Sequence, residues 1–439
     1  MRMKLRAAAL AGMVLLSGCD LERSNPNAPT QEAVLSSPDG IIALAVGVQA
    51  RYGQSTADFI YSSGLVTDEF GAVSAALVTI SDAEGGFVTQ GAGFVANVWN
   101  SSYRTVKSAN DLINNAPNVG LDTGTTSGIL ALSYVLKAAA LGDVLQSFQR
   151  LPIVTYGVTQ PVFVSRAEAL DAILALLDSA ETRLNTIPPS AQFTGSILAR
   201  GFDLKNTLFA YRARYLRLKG DDAGSVIAAD SVRRTVFSVL PYDAVNRNPV
   251  FTFSSGSSGV LPRDDFRVAG GAPEAARVAF HVTAAAIVGR LATTLLDNFA
   301  RYGVNSASIP TYYPDEPLLI KAEALTNLGQ LTQAQAVLDS VRTDCGGLVT
   351  TDPNACRPAL VGTLTAPALL AEIYANRRFE LFATGLRWED TRRQGLVGKT
   401  SSGKRCWLPY PIGERNGNPN VPADPEGPDA PTFPATCTS

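Results

Sequence analysis

Pro317 to Arg342 read PLLIKAEALTNLGQLTQAQAVLDSVR. Leu318, Ala322 and Leu325 recur at the four- and three-residue spacing of one helical face, Gly329 interrupts the pattern, and TQAQAVLDSVR resumes it. The stretch therefore predicts two helices joined by a glycine turn, with small alanines where the pair packs closely. Arg200 to Val232 repeats the arrangement. A helix through Phe209, Tyr211, Tyr215 and Leu218 breaks at Lys219-Gly220-Asp221 and resumes at Ala223.

Arg166 to Leu184, with SRAEALDAILALLDSAETRL across it, reads as one helix of a further pair. Apolar periodicity places helices at Ile41–Tyr52, Val95–Ile113, Ile129–Leu145, Arg166–Leu184, Leu198–Lys219, Ala223–Ser238, Pro317–Leu325, Gln333–Arg342 and Ala366–Ala383. Gly-, Ser- and Pro-rich segments at Gly53–Gly93, Tyr242–Pro273 and from Gly395 onward read as loops. Each pair is about the size of a tetratricopeptide (TPR) unit. The fold class that follows is mostly α: TPR-like helix pairs that share a core, with long irregular insertions left free to carry specificity.

Composition narrows the function classes. With 37 basic against 39 acidic residues and 17% charged residues, the chain lacks the basic footprint that nucleic-acid binding requires. The first residues, MRMKLRAAALAGMVLLSGC, combine Arg2, Lys4 and Arg6 with an apolar run from Ala7 to Leu16. That pattern predicts an export signal over residues 1–18, too short to span a bilayer as a mature helix. No later span reads as membrane-crossing. Leu16-Ser17-Gly18-Cys19 resembles the lipobox of bacterial lipoproteins, in which the Cys is acylated and becomes the new N-terminus. Residues 19–35 then form a lipidated Cys19 and a polar tether, and residues 36–439 one domain.

Cys345, Cys356, Cys406 and Cys437 remain as an even set in an exported chain. Three pairings are possible; the local choice joins Cys345 to Cys356 and Cys406 to Cys437. A four-thiolate zinc site would be expected to carry a C-x-x-C spacing, which is missing, so no metal is expected.

His281, the only histidine, lies in the apolar run RVAFHVTAAAIVG and reads as structural. A serine triad or a histidine metal site would depend on it, and no nucleophile-elbow, zincin or phosphate-loop motif is present. No cofactor is expected. The acidic pairs Asp68-Glu69 and Asp264-Asp265 offer carboxylates for glycoside hydrolysis in principle, but such pairs commonly sit on solvated loops. The chain therefore reads as not an enzyme.

Ala366 to Gly395, APALLAEIYANRRFELFATGLRWEDTRRQG, sets Arg377 and Glu380 at i, i+3, where opposite charges meet on one helix face. Arg387, Arg392 and Arg393 read as groups that clamp helix ends and loops. This stretch resembles the C-terminal signature of the SusD/RagB family of outer-membrane nutrient-binding lipoproteins, at Arg377, Arg378, Glu380, Leu381, Gly385, Arg387, Asp390 and Arg393. Thr384 stands where that pattern carries an acidic residue. Further likeness lies at NPNAPT (25–30), VWNSSYRTVKSANDLI (98–113), FQRLPIVTYG (148–157), LLIKAEALTNLG (318–329) and LPYPIGERNGNPN (408–420).

The resemblance implies a SusD-like α-α superhelix with an irregular ligand-facing half. It also implies a lipid anchor in the outer membrane, exposed at the surface, and capture of an oligosaccharide or other large nutrient. The implied partner is a SusC-like TonB-dependent transporter barrel, which the protein would cover as a lid. Sugar rings stack on aromatic faces fixed by a few polar groups, so the candidate ligand residues are Tyr61, Phe70 and Phe87 with Asp68, and Tyr312 and Tyr313. Trp99 and Trp388 read as core, and Trp407 as packing for the loop after it. A membrane-anchored TPR scaffold for a protein partner is the alternative reading, and an exported hydrolase the third.

Overall fold

The structure is a computed structural model that describes residues 30–256, 259–291, 294–345, 353–396, 405–426 and 437. The export signal, Cys19 and most of the tether lie outside the described residues. The principal helices are α1 (Pro38–Val66), α2 (Gly93–Asn115), α3 (Thr123–Ser147), α4 (Arg166–Thr186), α5 (Leu204–Lys219), α6 (Asp222–Asp230), α7 (Asp315–Asn327), α8 (Leu331–Arg342), α9 (Ala366–Glu380) and α10 (Arg387–Arg393). From α1 to α8 each packs against the next, and α9 lies against α7. Such neighbour-on-neighbour stacking is how helical repeats build a continuous core. The mostly α fold class of stacked helix pairs holds.

The turns that join the pairs are local in origin. Asp203 and Asp221 cap α5 and α6 with their side chains, Ser165 and Glu168 form a reciprocal capping box on α4, and Gly220 ends α5 in the left-handed region at φ 84°. α3 sits at the centre. By length and hydropathy it could cross a membrane, contrary to the expectation that no later span qualifies, yet 89% of its apolar window is buried within the fold.

Gly53 to Gly93 was expected to be one loop, but α1 runs on to Val66. The glycines that suggest a loop there are points of close packing. An added Cβ would stand 2.2 Å from the Tyr242 hydroxyl at Gly53 and 2.2 Å from the Phe70 ring at Gly64. Two other expectations shorten: α5 begins at Leu204, where Asp203 caps it, and α6 ends at Asp230. Beyond α6, Arg233 pairs with Asp203, and Arg234 with Asp315 and Asp344, which draws the chain away toward α7.

Strands are short and connect distant segments. β1 (Phe70–Ala72) pairs antiparallel with β2 (Val260–Pro262), Phe70 facing Pro262. β3 (Val282–Val288) and β4 (Leu295–Phe299) form an antiparallel hairpin with an irregularity at Ala286, where φ is 51°. The β1–β2 pair fastens the end of α1 beside residues 249–256, and so builds one wall of the site described below.

The arginine-rich signature is a scaffold of ion pairs. Arg377 turns to Asp390 at 2.8 Å and Glu380 to the fully buried Arg277 at 2.8 Å, so the expected Arg377–Glu380 contact is not made. Each side chain finds a better partner on another element than across one turn. Arg392 donates to the carbonyls of Cys406 and Gln146, both at 2.6 Å, and Arg393 pairs with Asp390 and Glu323. Trp99, Trp388 and Trp407 are buried, and the Trp388 indole donates to the Arg405 carbonyl at 2.6 Å. Disulfides join Cys345 to Cys356 and Cys406 to Cys437.

Gly385 holds this scaffold to α1. Its carbonyl accepts from the Ser63 hydroxyl at 2.7 Å, its φ is 84°, and a Cβ there would lie 2.4 Å from the Phe59 ring. Gly385→Ala should cost about 2 to 3 kcal/mol, from left-handed strain and ring displacement together. Urea unfolding with an unchanged slope checks this; a midpoint within error of the parent refutes it.

Candidate ligand-binding cleft

The β1–β2 pairing brings α1, α2 and residues 247–253 around an open cleft of about 430 Å³. Tyr61 projects from α1, Phe94 from the start of α2, and Phe253 from the helical turn Pro249–Ser254, which Asn248 caps. Tyr61 meets Phe253 edge to face at 4.9 Å between ring centres, and Phe94 at 6.4 Å. Gln54, Asp58, Asn97, Arg247 and Thr252 add polar groups to the apolar wall. Burial pushes the Tyr61 phenol well above its ordinary range, so it enters as a neutral donor and acceptor. Burial also raises the Asp58 carboxyl, opposed by hydrogen bonds from Ser101 and Gln54 and by the nearby Arg104 charge.

Such a surface suits a ligand with apolar faces and many hydroxyls. Ring faces and edges pack against C–H groups while the amides and the carboxylate fix orientation. A second open cleft of about 510 Å³ lies further along α2, lined by Trp99, Asn100, Tyr103, Arg104, Lys107 and Glu414 among others. Among the described residues, no group of three or more His, Cys, Asp or Glu side chains is placed to hold a metal ion.

Residues 303–423 match the SusD family. No curated protein is matched by the sequence. Among solved structures, a SusD superfamily protein from Bacteroides thetaiotaomicron superposes with a TM-score of 0.70 at 14% identity, over 89% of this chain and 100% of the other. A laminarin-binding SusD-like protein gives 0.65 at 14% identity over 89% and 99%. A SusD-like carbohydrate-binding protein from Bacteroides vulgatus gives 0.63 at 13% identity over 82% and 84%. Residues 303–423 are SusD-family sequence, and the chain has the SusD fold.

On this SusD fold the expected ligand residues separate. Tyr61 lines the large cleft. Phe87 is partly exposed but does not line it, and Phe70 is wholly buried against Phe253, Phe299 and Phe382. Tyr312 and Tyr313 are buried beside an enclosed cavity of about 20 Å³, room for about one water and not for a sugar. These three aromatics are core residues: their loops fold inward because the rings find apolar partners there. Asp68 is buried and bound to Arg263 at 2.8 Å.

The acidic pairs of the SusD-like chain stand apart from the cleft too. Asp68, Glu69 and Asp265 surround a cavity of about 10 Å³ with Arg378 and Arg387. Burial pushes Glu69 up to about 7, against the pull of Arg387 and Arg378. His281 is buried, with Nε2 3.0 Å from the Phe379 carbonyl, and burial holds its ring down at about 3. Sequence reasoning missed Gln54, Asp58, Phe94, Asn97, Arg247 and Phe253. On α2, Asn97 carried a usable signal, a polar residue in helical register with Asn100, Arg104 and Lys107; Arg247 and Phe253 carried none, because a long-range strand pair brings them in.

Proposed function

We propose that this chain is a non-enzymatic nutrient-binding lipoprotein of the outer membrane. It captures an oligosaccharide in the Tyr61–Phe253 cleft and serves as the lid of a SusC-like TonB-dependent transporter. The observation that carries the binding reading is the cleft itself: three aromatic side chains converge with amides, a carboxylate and a guanidinium in an open space of about 430 Å³. Sugar and laminarin binding by proteins of the same fold supports it. Of the acidic pairs that a hydrolase reading would use, Asp68 and Glu69 are buried and Asp264 and Asp265 lie outside the cleft, which favours capture over cleavage. A lid and a barrel each supply part of a site, so weak binding by the lid alone fits the proposal.

Tyr61→Ala removes the edge-to-face partner of Phe253 and should weaken binding of a gluco-oligosaccharide about 10-fold, the order expected for one aromatic contact. Calorimetry of the purified chain checks it, and binding unaffected by the substitution would place the ligand elsewhere. The anchor has its own test. Cys19→Ser should leave unprocessed precursor or release the protein from membranes; normal processing with unchanged membrane fractionation would refute lipidation. Recovery from gently solubilised outer membranes without any TonB-dependent barrel would remove the lid role.

A further inference from the structure

The two open clefts lie on one stripe of α2. Gly93 and Asn97 line the first, and Asn100, Arg104 and Lys107 the second. All five are exposed and follow each other at spacings of four, three, four and three, which keeps them on one helical face. At the helical rise the stripe is about 21 Å long. Arg104, in the second cleft, acts electrostatically on Asp58, in the first. The clefts are neighbours along a single track.

Charge along that track is uneven. Lys107 is bound by Asp111 at 2.7 Å. Glu414 accepts from the Trp99 indole at 3.3 Å and from Asn418 at 3.2 Å, while Asp58 accepts from Gln54 at 3.1 Å. Arg247 and Arg104 are exposed, and their guanidiniums make no hydrogen bond or salt bridge within 4.0 Å to a described residue. One stands in each cleft. A chain with 39 acidic against 37 basic residues thus presents guanidiniums as the uncommitted charges of its main track. Free guanidinium forks match carboxylates in geometry and charge. The neighbouring amides of Asn97 and Asn100, equally uncommitted, match hydroxyls.

We infer that the two clefts form one extended site for an acidic oligosaccharide, a uronate-bearing glycan whose carboxylates meet Arg247 and Arg104 while its rings lie along α2 against Tyr61 and Phe253. The inference rests on the glycan-capture reading and adds the ligand's charge and length. The amide-rich floor and aromatic wall favour a sugar chain over an acidic peptide, whose backbone would call for main-chain edges that α2 does not offer.

The test is calorimetry of the purified full-length chain with oligogalacturonides of increasing length, neutral gluco-oligosaccharides of the same lengths, and an oligoglutamate peptide, at low and high salt. The expected result is preference for the oligogalacturonides, affinity rising with length until both clefts are spanned, and loss of that preference at high salt. Arg104→Gln and Arg247→Gln, both at exposed positions, should each weaken oligogalacturonide binding about 10-fold and weaken the neutral sugars less, so that the preference for the acidic chain falls. Tyr61-dependent binding of neutral sugars with no acidic preference would overturn the extended acidic site and leave glycan capture standing. Preference for oligoglutamate would overturn the choice of a sugar. No Tyr61-dependent binding of any glycan would overturn both readings.

Discussion

Glu323→Ala is expected to destabilise the protein by about 3 to 5 kcal/mol, the range for stripping a buried charge from its partners. Glu323 is fully buried on α7 and receives Arg217 from α5 at 2.5 Å, Arg393 from α10, and the Tyr374 hydroxyl from α9 at 2.9 Å. One carboxylate thus ties four helices. Burial alone would raise its pKa, but Arg393, Arg217 and Arg377 outweigh burial and hold it down at about 2. Alanine leaves Arg217 with Asp222 at 3.6 Å and Arg393 with Asp390, while nothing replaces the charge between them.

The pH dependence follows from the sign of the shift. A carboxyl lowered from 4.5 to about 2 by folding contributes stability that is complete above its unfolded value and is lost as pH falls through about 2. Urea unfolding of parent and variant at neutral pH and again near pH 2 to 3 therefore gives a large gap that narrows with acid. A gap under about 1 kcal/mol at neutral pH, or one independent of pH, refutes the assignment. Glu323→Gln keeps an acceptor for Tyr374 and should recover only part of the loss.

Asp143→Asn is expected to act in the opposite sense and to stabilise the protein in alkaline solution. Asp143 is buried on α3 near the Tyr52–Tyr211 hydroxyl pair, and one of its oxygens has no partner. Burial pushes it up to about 8, against the pull of Arg214. Because its folded pKa lies above its unfolded value, the native state holds a proton that the unfolded chain has released. Stability is therefore fully present below about pH 4, declines as pH rises, and has lost its whole increment above about pH 8. At about 1.4 kcal/mol per pKa unit, the asparagine variant should exceed the parent by several kcal/mol near pH 9. The difference should vanish toward pH 4. A difference that stays flat across that range shows that Asp143 does not titrate as a buried acid. Other raised carboxyls, such as Glu69, are common to both proteins and cancel in the comparison.

These two residues also mark what local sequence can reveal. Apolar spacing and turn chemistry are properties of a dozen neighbouring residues, and Gly220 and Gly329 each stand at positive φ between paired helices, where the sequence breaks. The helix pairs and the buried tryptophans were legible for that reason, and the buried histidine because its whole neighbourhood is apolar. The arginine-rich signature was legible as a clamp, but its partners were not. Arg377 takes Asp390 rather than Glu380, because the pairing depends on which elements fold against α9.

By itself, then, the sequence determined the helical repeat, its glycine turns and the core they share, since backbone propensity and helical period act over a few residues. Tertiary structure alone decided which aromatics meet solvent and where a ligand would sit. Tyr61 and Phe70 look alike in sequence, yet one lines the cleft and the other is sealed behind it, because exposure depends on what packs from far away in the chain. Gly53 and Gly64 read as loop because glycine is flexible; within α1 they serve close packing, and only the approach of Tyr242 and Phe70 makes that use visible. Arg247 and Phe253 joined Tyr61 through strands paired across nearly two hundred residues. Local patterns carry no record of such a pairing, because its free energy comes from burying segments that meet only once the chain has folded.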